Sequence, residues 1–476
     1  MSYREIAPAG ARTTRATTGR QRWLYAVANL GMSLPAQAVG GFLLFFYTDV
    51  RRLNPAWVAT VMTLYAFYNA FNNPVLGYLS DRTRTRWGRR RPYIFFGALP
   101  YALLFAAIWF APFDGVTQPV ALLIYFVVVI VIWEGLATAV GTAYYALLPE
   151  MFPSYRERTD VAVRMNVVQT IGLLIGAALP PLLADLLGWP VMGLLFAAIA
   201  AAALYIGLQG MVERQSYSVT LPLRQALRET LLNRSFVAVV IAQTMRFMAT
   251  GTLAAGMAFF ITYSLRVERG AVTTAILATV FVTAGLALWP WRQFVAQRLG
   301  PRGTLMLAYA ALGLAVLPLA VVSSVTGALL AAVGLGVAIA GLILMGDVIL
   351  ADVIDDDEVR TGQRREGMYF GMSGLITTLS SALVSIAFGV ITARYGYDPA
   401  LSVQPETVAT GFRVFMTVPP ILGAALALAA LRLYPLHGAR LDAIKRTLAT
   451  RRVEMGAPAG DAPRITVVPD GREASA

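Results

Sequence analysis

The stretch Asp81-Arg82-Thr83-Arg84-Thr85-Arg86-Trp87-Gly88-Arg89-Arg90-Arg91-Pro92 decides the fold. It sets six arginines between two apolar runs, residues 55–79 and 93–111. A run of ~20 apolar residues spans the ~30 Å of hydrocarbon in a bilayer. Arginines clustered between two such runs mark a loop that stays on the cytoplasmic side. The alternation continues along the whole chain of 476 residues, of which 57% are hydrophobic and only 14% charged. Twelve runs can be read: 23–47, 55–79, 93–111, 118–148, 163–186, 189–209, 235–264, 271–291, 303–322, 326–350, 367–393 and 411–431. Backbone groups inside hydrocarbon must be satisfied within their own segment, so runs of this length are helices.

The net charge of +13 invites a nucleic-acid reading, but its distribution rejects one. With both termini cytoplasmic, 32 of the 39 basic residues fall in cytoplasmic segments and 6 on the opposite side, leaving Arg246 inside a span. That bias orients the protein in a membrane and offers contacts to anionic lipid. The chain has no cysteine, and its only histidine, His437, follows the last span. Thiol chemistry, disulfides and an intramembrane histidine relay are therefore excluded. No glycine-rich lysine loop for a nucleotide and no nucleophile–base pair is present, so neither ATP-driven transport within the chain nor an enzyme is expected. No cofactor or metal is expected either. The polar, basic first 22 residues precede a first run without a small-residue cleavage site, which predicts an uncleaved anchor.

The longest polar interruption, residues 210–234, divides the runs six and six. Its segment Leu223–Arg228 predicts a short amphipathic surface helix. The halves look like repeats. Pro74 to Arg82 and Pro290 to Arg298 are both eight residues, each followed by glycine. Pro149-Glu150 before Arg156-Glu157-Arg158 parallels Asp352–Glu358 before Arg364-Arg365-Glu366. The expected fold is an all-α membrane protein with twelve transmembrane helices in two six-helix pseudo-repeats and a site between them. The expected organisation is a cytoplasmic segment 1–22, helix bundles at 23–209 and 235–435, a cytoplasmic loop 210–234, and a cytoplasmic tail 436–476, disordered from about Gly456.

Asn73-Pro74-Val75-Leu76-Gly77, Asp81-Arg82-Thr83 and Arg86-Trp87-Gly88-Arg89 together resemble the loop motif of the major facilitator superfamily. In detail they resemble its glycoside–pentoside–hexuronide symporter branch. Tyr47-Thr48-Asp49-Val50, Ala146-Leu147-Leu148-Pro149, and Asp352-Val353-Ile354-Asp355 with Arg360-Thr361-Gly362 extend the likeness over nearly the whole membrane region. The resemblance implies alternating-access transport, but the branch's working residues are replaced here. Its two cation-binding aspartates fall on Asn69 and Asn73, its first-span sugar-binding aspartate on Ser33, and its fourth-span aspartate on Gly141. Its tryptophan falls on Tyr145, its fifth-span arginine on Asn166 with Arg164 nearby, and its eleventh-span lysine on Thr378.

Three constellations stand out against a plain packing role. Glu134 lies near the centre of the fourth span, where a carboxylate costs several kcal/mol unless paired, protonated or hydrated. Glu134, Gly141 and Tyr145 fall within about 40° of one helical stripe. Arg246 in the seventh span needs a partner, and Glu134 is nearest in depth. Asn69, Asn72 and Asn73 share one face of the second span and line a cavity or join helices. Gating is expected from Asp81, Arg82 and Arg89 on one side and Asp352 and Asp355 on the other, forming salt bridges that hold the inside closed.

The expected function is secondary transport of a sugar or glycoside across a bacterial inner membrane by a monomer. A proton is the candidate coupling ion, and sodium coupling through the second span is not expected. Ser33, Glu134, Gly141, Tyr145, Arg164, Asn166, Arg246 and Thr378 are the candidate substrate residues. Two alternatives stay open: the same fold carrying an amphiphile such as a lysolipid, and a non-transporting sensor or scaffold.

Overall fold

The computed structural model describes residues 17–83, 85–152, 155–213, 228–267, 270–362 and 365–454. The amphipathic segment expected before Arg228 and the tail beyond Glu454 lie outside them, as do the side chains of Asp81 and Arg82. Among the described residues the regular secondary structure is all helical apart from one isolated bridge, Thr85 with Gly88. In chain order the helices are α1 (Gly19–Phe45), α2 (Pro55–Arg82), α3 (Arg91–Phe110), α4 (Pro119–Met151), α5 (Tyr155–Leu187) and α6 (Trp189–Gly210). Then follow α7 (Arg234–Phe259), α8 (Gly270–Pro290), α9 (Gln297–Val316), α10 (Val325–Thr361), α11 (Glu366–Thr378), α12 (Ser380–Tyr395), α13 (Glu406–Arg432) and α14 (Ala439–Glu454).

Local chemistry sets the ends. Thr18 and Gln21 form a reciprocal capping box at the start of α1, and Asn54, Asn233 and Ser324 cap α2, α7 and α10 through their side chains. Prolines stand in the first turns of α2, α3, α4 and α6, where no amide donor is needed. Gly362 and Gly396 close α10 and α12 at φ 71°.

Among the described residues, ten helical segments are long and apolar enough to cross a membrane. One of them, Gly270–Ala320, combines α8 and α9 and turns at Gly300, whose φ of 67° only glycine adopts freely. The asparagine-bearing α2 is not among the ten. The eleventh predicted span is one segment, Glu366–Tyr395, broken at Leu379 into α11 and α12. The near part of the tail is a helix: α14 packs on α10 with Leu441, Ile444 and Leu448 buried.

Within the first six helices, α1 packs on α5 and α6, α3 on α4 and α6, and α2 on α4. Among the later ones, α7 packs on α13, α8 on α10, and α9 on α10 and α13. The two sets meet through α2–α12, α5–α8 and α1–α7. Polar contacts between the sets are concentrated at the end of the molecule remote from the arginine loop. There the Gly270 amide donates to Asp185 Oδ2 at 2.7 Å and Thr274 Oγ1 to the Ala178 carbonyl at 2.6 Å.

At the arginine-loop end, the ion pairs among described residues stay within one set. Arg89 and Arg90 hold Glu150 at 2.7 and 2.9 Å, and Glu213 accepts from both backbone amides. Arg22 holds Glu157 and Asp160 at 3.0 and 2.8 Å. On the other side Arg365 joins Asp357 and Glu229, Arg360 joins Asp356, and Lys445 reaches Asp352 at 3.3 Å. The sequence reading had these charges bridging the two halves. In this conformation Arg89 and Asp352 each find a partner in their own half.

Candidate functional site

The α2–α4 seam holds Glu134, which is 6% exposed. Tyr65 on α2 donates its hydroxyl to Glu134 Oε2, and Thr138, one turn along α4, donates to Oε1 at 3.1 Å. Tyr68 lies beside them, since a Cβ on Gly135 would come within 3.2 Å of its hydroxyl. Among the described residues no basic side chain joins this carboxylate. The expected pair with Arg246 is absent from this conformation, because α7 directs that arginine toward α10. Arg246 Nη1 donates to the Leu342 carbonyl at 3.3 Å, its guanidinium lies 4.5 Å from the Phe247 ring centre, and its Nε has no partner. The approach needs glycine at 346, where a Cβ would meet Nη1 at 2.8 Å. Gln243 ties the same helices by donating to the Gly346 carbonyl at 2.9 Å. Asp347, exposed on α10, attracts Arg246 from beyond ion-pair distance.

The other candidates divide between open and packed positions. Tyr145 is half exposed, and its hydroxyl donates to Asn29 Oδ1 at 3.1 Å. Asn29 in turn donates to the Met165 carbonyl at 3.2 Å, which links α1, α4 and α5. Asn166 is exposed on α5. Ser33 is buried against α5: a Cβ on Gly172 would lie 2.1 Å from its Oγ, and that Oγ has no partner. Gly141 faces the end of Met32. Arg164 binds Asp160 at 2.5 Å and covers the Trp23 ring at 5.4 Å. Thr378 returns its hydroxyl to the Gly374 carbonyl at the break between α11 and α12.

The amides on α2 engage one another. Asn73 Nδ2 donates to both Asn69 Oδ1 and the Asn69 carbonyl at 3.2 Å, while Asn72 Nδ2 is buried without a partner. Among the described residues no group of three His, Cys, Asp or Glu side chains could hold a metal ion. Sequence reasoning missed Tyr65 and Thr138. Both were findable, since Tyr65 stands one turn before Asn69 and Thr138 one turn after Glu134.

The family described as MFS/sugar transport protein matches residues 24–438. The chain belongs to that family. It is a multi-pass membrane transporter and not an enzyme. Among its relatives, the isoprimeverose transporter of Lactiplantibacillus pentosus is 26% identical over 435 residues, 87% of this chain and 88% of that one. The sodium-dependent lysophosphatidylcholine symporter 1-A of Danio rerio is 22% identical, over 90% of this chain and 88% of that one. Among solved structures, a bacterial homolog to the human lysosomal transporter Spinster, inward-facing and unoccupied, superposes with a TM-score of 0.65 at 14% identity. That match covers 89% of the transporter and 98% of the other chain, and it places the transporter in the major facilitator fold.

Proposed function

We propose that this transporter carries a sugar or glycoside across a bacterial inner membrane by alternating access, with Glu134 as the proton-binding group. The observation that carries the reading is the setting of Glu134. Burial deep in a span, with no cation beside it among the described residues, favours the protonated carboxyl; the two hydroxyl donors work against that preference, so the proton can leave once the site is hydrated. The cargo site lies between the two helix sets, and the open positions at Tyr145 and Asn166 suit the hydroxyls of a sugar. The chain crosses the membrane twelve times, with α2 and the two arms about Gly300 completing the count. The two six-helix halves are residues 23–209 and 235–435, and both termini are cytoplasmic. The conformation is open to the cytoplasm: the halves hold together at the outer end, and their inner charges pair within each half.

The topology has a direct check in a chain without cysteine. Single cysteines at Thr83 and at the exposed Val116 are expected to react with impermeant maleimide from opposite sides of the membrane. Reaction of both from one side overturns the orientation.

Sodium is not expected to drive transport through α2. A hard cation gains most of its affinity from anionic oxygens close by. Asn69 and Asn73 bring no charge and already bond to each other. Uptake into proteoliposomes under an inward sodium gradient is expected to equal uptake under a potassium gradient at the same pH and voltage. Stimulation by sodium that disappears in Asn73→Ala contradicts this.

A lysolipid cargo is the second reading, favoured by the Danio rerio relative and by the Arg246 guanidinium, which has no carboxylate within ion-pair distance among the described residues and suits a phosphate. Competition of lysophosphatidylcholine and of glycosides for uptake separates the two.

A further inference from the structure

We propose that Asp49, Tyr263 and Tyr397 form the gate that closes the outer end of the transporter. Asp49 lies at the end of α1, and its Oδ1 accepts the hydroxyls of two tyrosines from the other half. Tyr263 follows α7, and Tyr397 follows α12 and donates at 3.0 Å. These bonds join the halves where α1 and α7 meet, and alternating access requires those ends to part when the outer side opens.

The placement is symmetric in a way that supports a moving joint. Asp49 and Tyr263 are 214 residues apart. The same offset relates Phe45 to Phe259, whose rings meet edge to face at 5.0 Å. It also relates Arg52 to Arg266, the two non-glycine residues at positive φ among the described residues, 59° and 55°. Both helices end in a π-helical turn, Phe46–Val50 after α1 and Phe260–Leu265 after α7. A π turn holds an extra residue and so re-aims the side chains that follow, a device common at functional positions. Here it brings an acid of one repeat against a phenol of the other, at the point where the two repeats face each other. The aromatic rings around it, Phe259, Phe412 and Tyr397, belong to the second half and give the tyrosines a fixed wall from which to donate.

The proposal rests on the alternating-access reading, and its test needs no cargo. Spin labels at Val116 and Leu401, exposed on outer loops of opposite halves, report the outer opening. A second pair at Thr85 and Gln297 reports the inner one. Measured by double electron–electron resonance in lipid nanodiscs, Asp49→Asn is expected to raise the outward-open fraction about ten-fold or more, as a charge-assisted bond is lost. The outer pair lengthens while the inner pair shortens in the same variant. Tyr397→Phe, a milder change that keeps the ring, is expected to move both distances the same way by less. Distributions in both variants that match the parent overturn the gate, as does an outer pair that lengthens without inner shortening. Movement of both pairs in a protein that takes up no glycoside leaves the gate standing and removes the sugar reading.

Discussion

Glu134→Gln is expected to abolish accumulation driven by a pH gradient while leaving exchange of cargo across the membrane. Glutamine fills the same space, keeps one oxygen to accept from Tyr65 or Thr138 and turns its amide nitrogen to donate to the other hydroxyl, so the α2–α4 seam survives the change. What it loses is the ability to bind and release a proton. Neither α1 nor α2 carries an acidic side chain in its membrane interior, and the only histidine follows the last span. A symporter without its proton group still exchanges cargo, because that half of the cycle returns the loaded form. The measurement is uptake of one labelled glycoside into proteoliposomes, with and without an inward proton gradient, beside exchange at equal pH. Proton-driven accumulation retained in the variant rules Glu134 out as the carrier.

Glu150→Ala is expected to lower stability strongly. Glu150 is 7% exposed and Arg90 5%, and the carboxylate joins Arg89 and Arg90 below the arginine loop. Removing one member of a buried ionic cluster leaves charge uncompensated and costs about 3–5 kcal/mol. Thermal unfolding in detergent is expected to shift down by several degrees or more, with Glu150→Gln intermediate because it keeps an acceptor. An unchanged midpoint in both variants contradicts the view that Arg89 is pinned within its own half.

These two residues show how far the sequence could be read. The apolar runs, the arginine loop and the repeat are legible because length, hydropathy and charge asymmetry act locally and need no knowledge of neighbours. Glu134 was legible for the same reason, as a carboxylate in hydrocarbon is conspicuous wherever it sits. Its partners were harder, since they depend on the rotation of α2 against α4. Arg246 went to α10 because Gly346 opens a space there, and a missing side chain gives no periodic signal. The inner charges were paired across the halves in the sequence reading because both clusters were read as facing the same side of the membrane. Which partner each takes depends on conformation, and a single sequence encodes more than one. Asp49 stood in a motif that the sequence reading used only for its family likeness. Its contact with Tyr263 emerges only when two equivalent helix ends meet.

Counterflow tests the central claim most directly. Proteoliposomes loaded with a millimolar glycoside are diluted into labelled tracer of the same compound, across a panel that includes isoprimeverose and lysophosphatidylcholine. The account predicts a transient tracer overshoot for at least one glycoside, present in both the parent protein and Glu134→Gln and absent from protein-free vesicles. No overshoot with any glycoside, or an overshoot confined to the lysolipid, contradicts it.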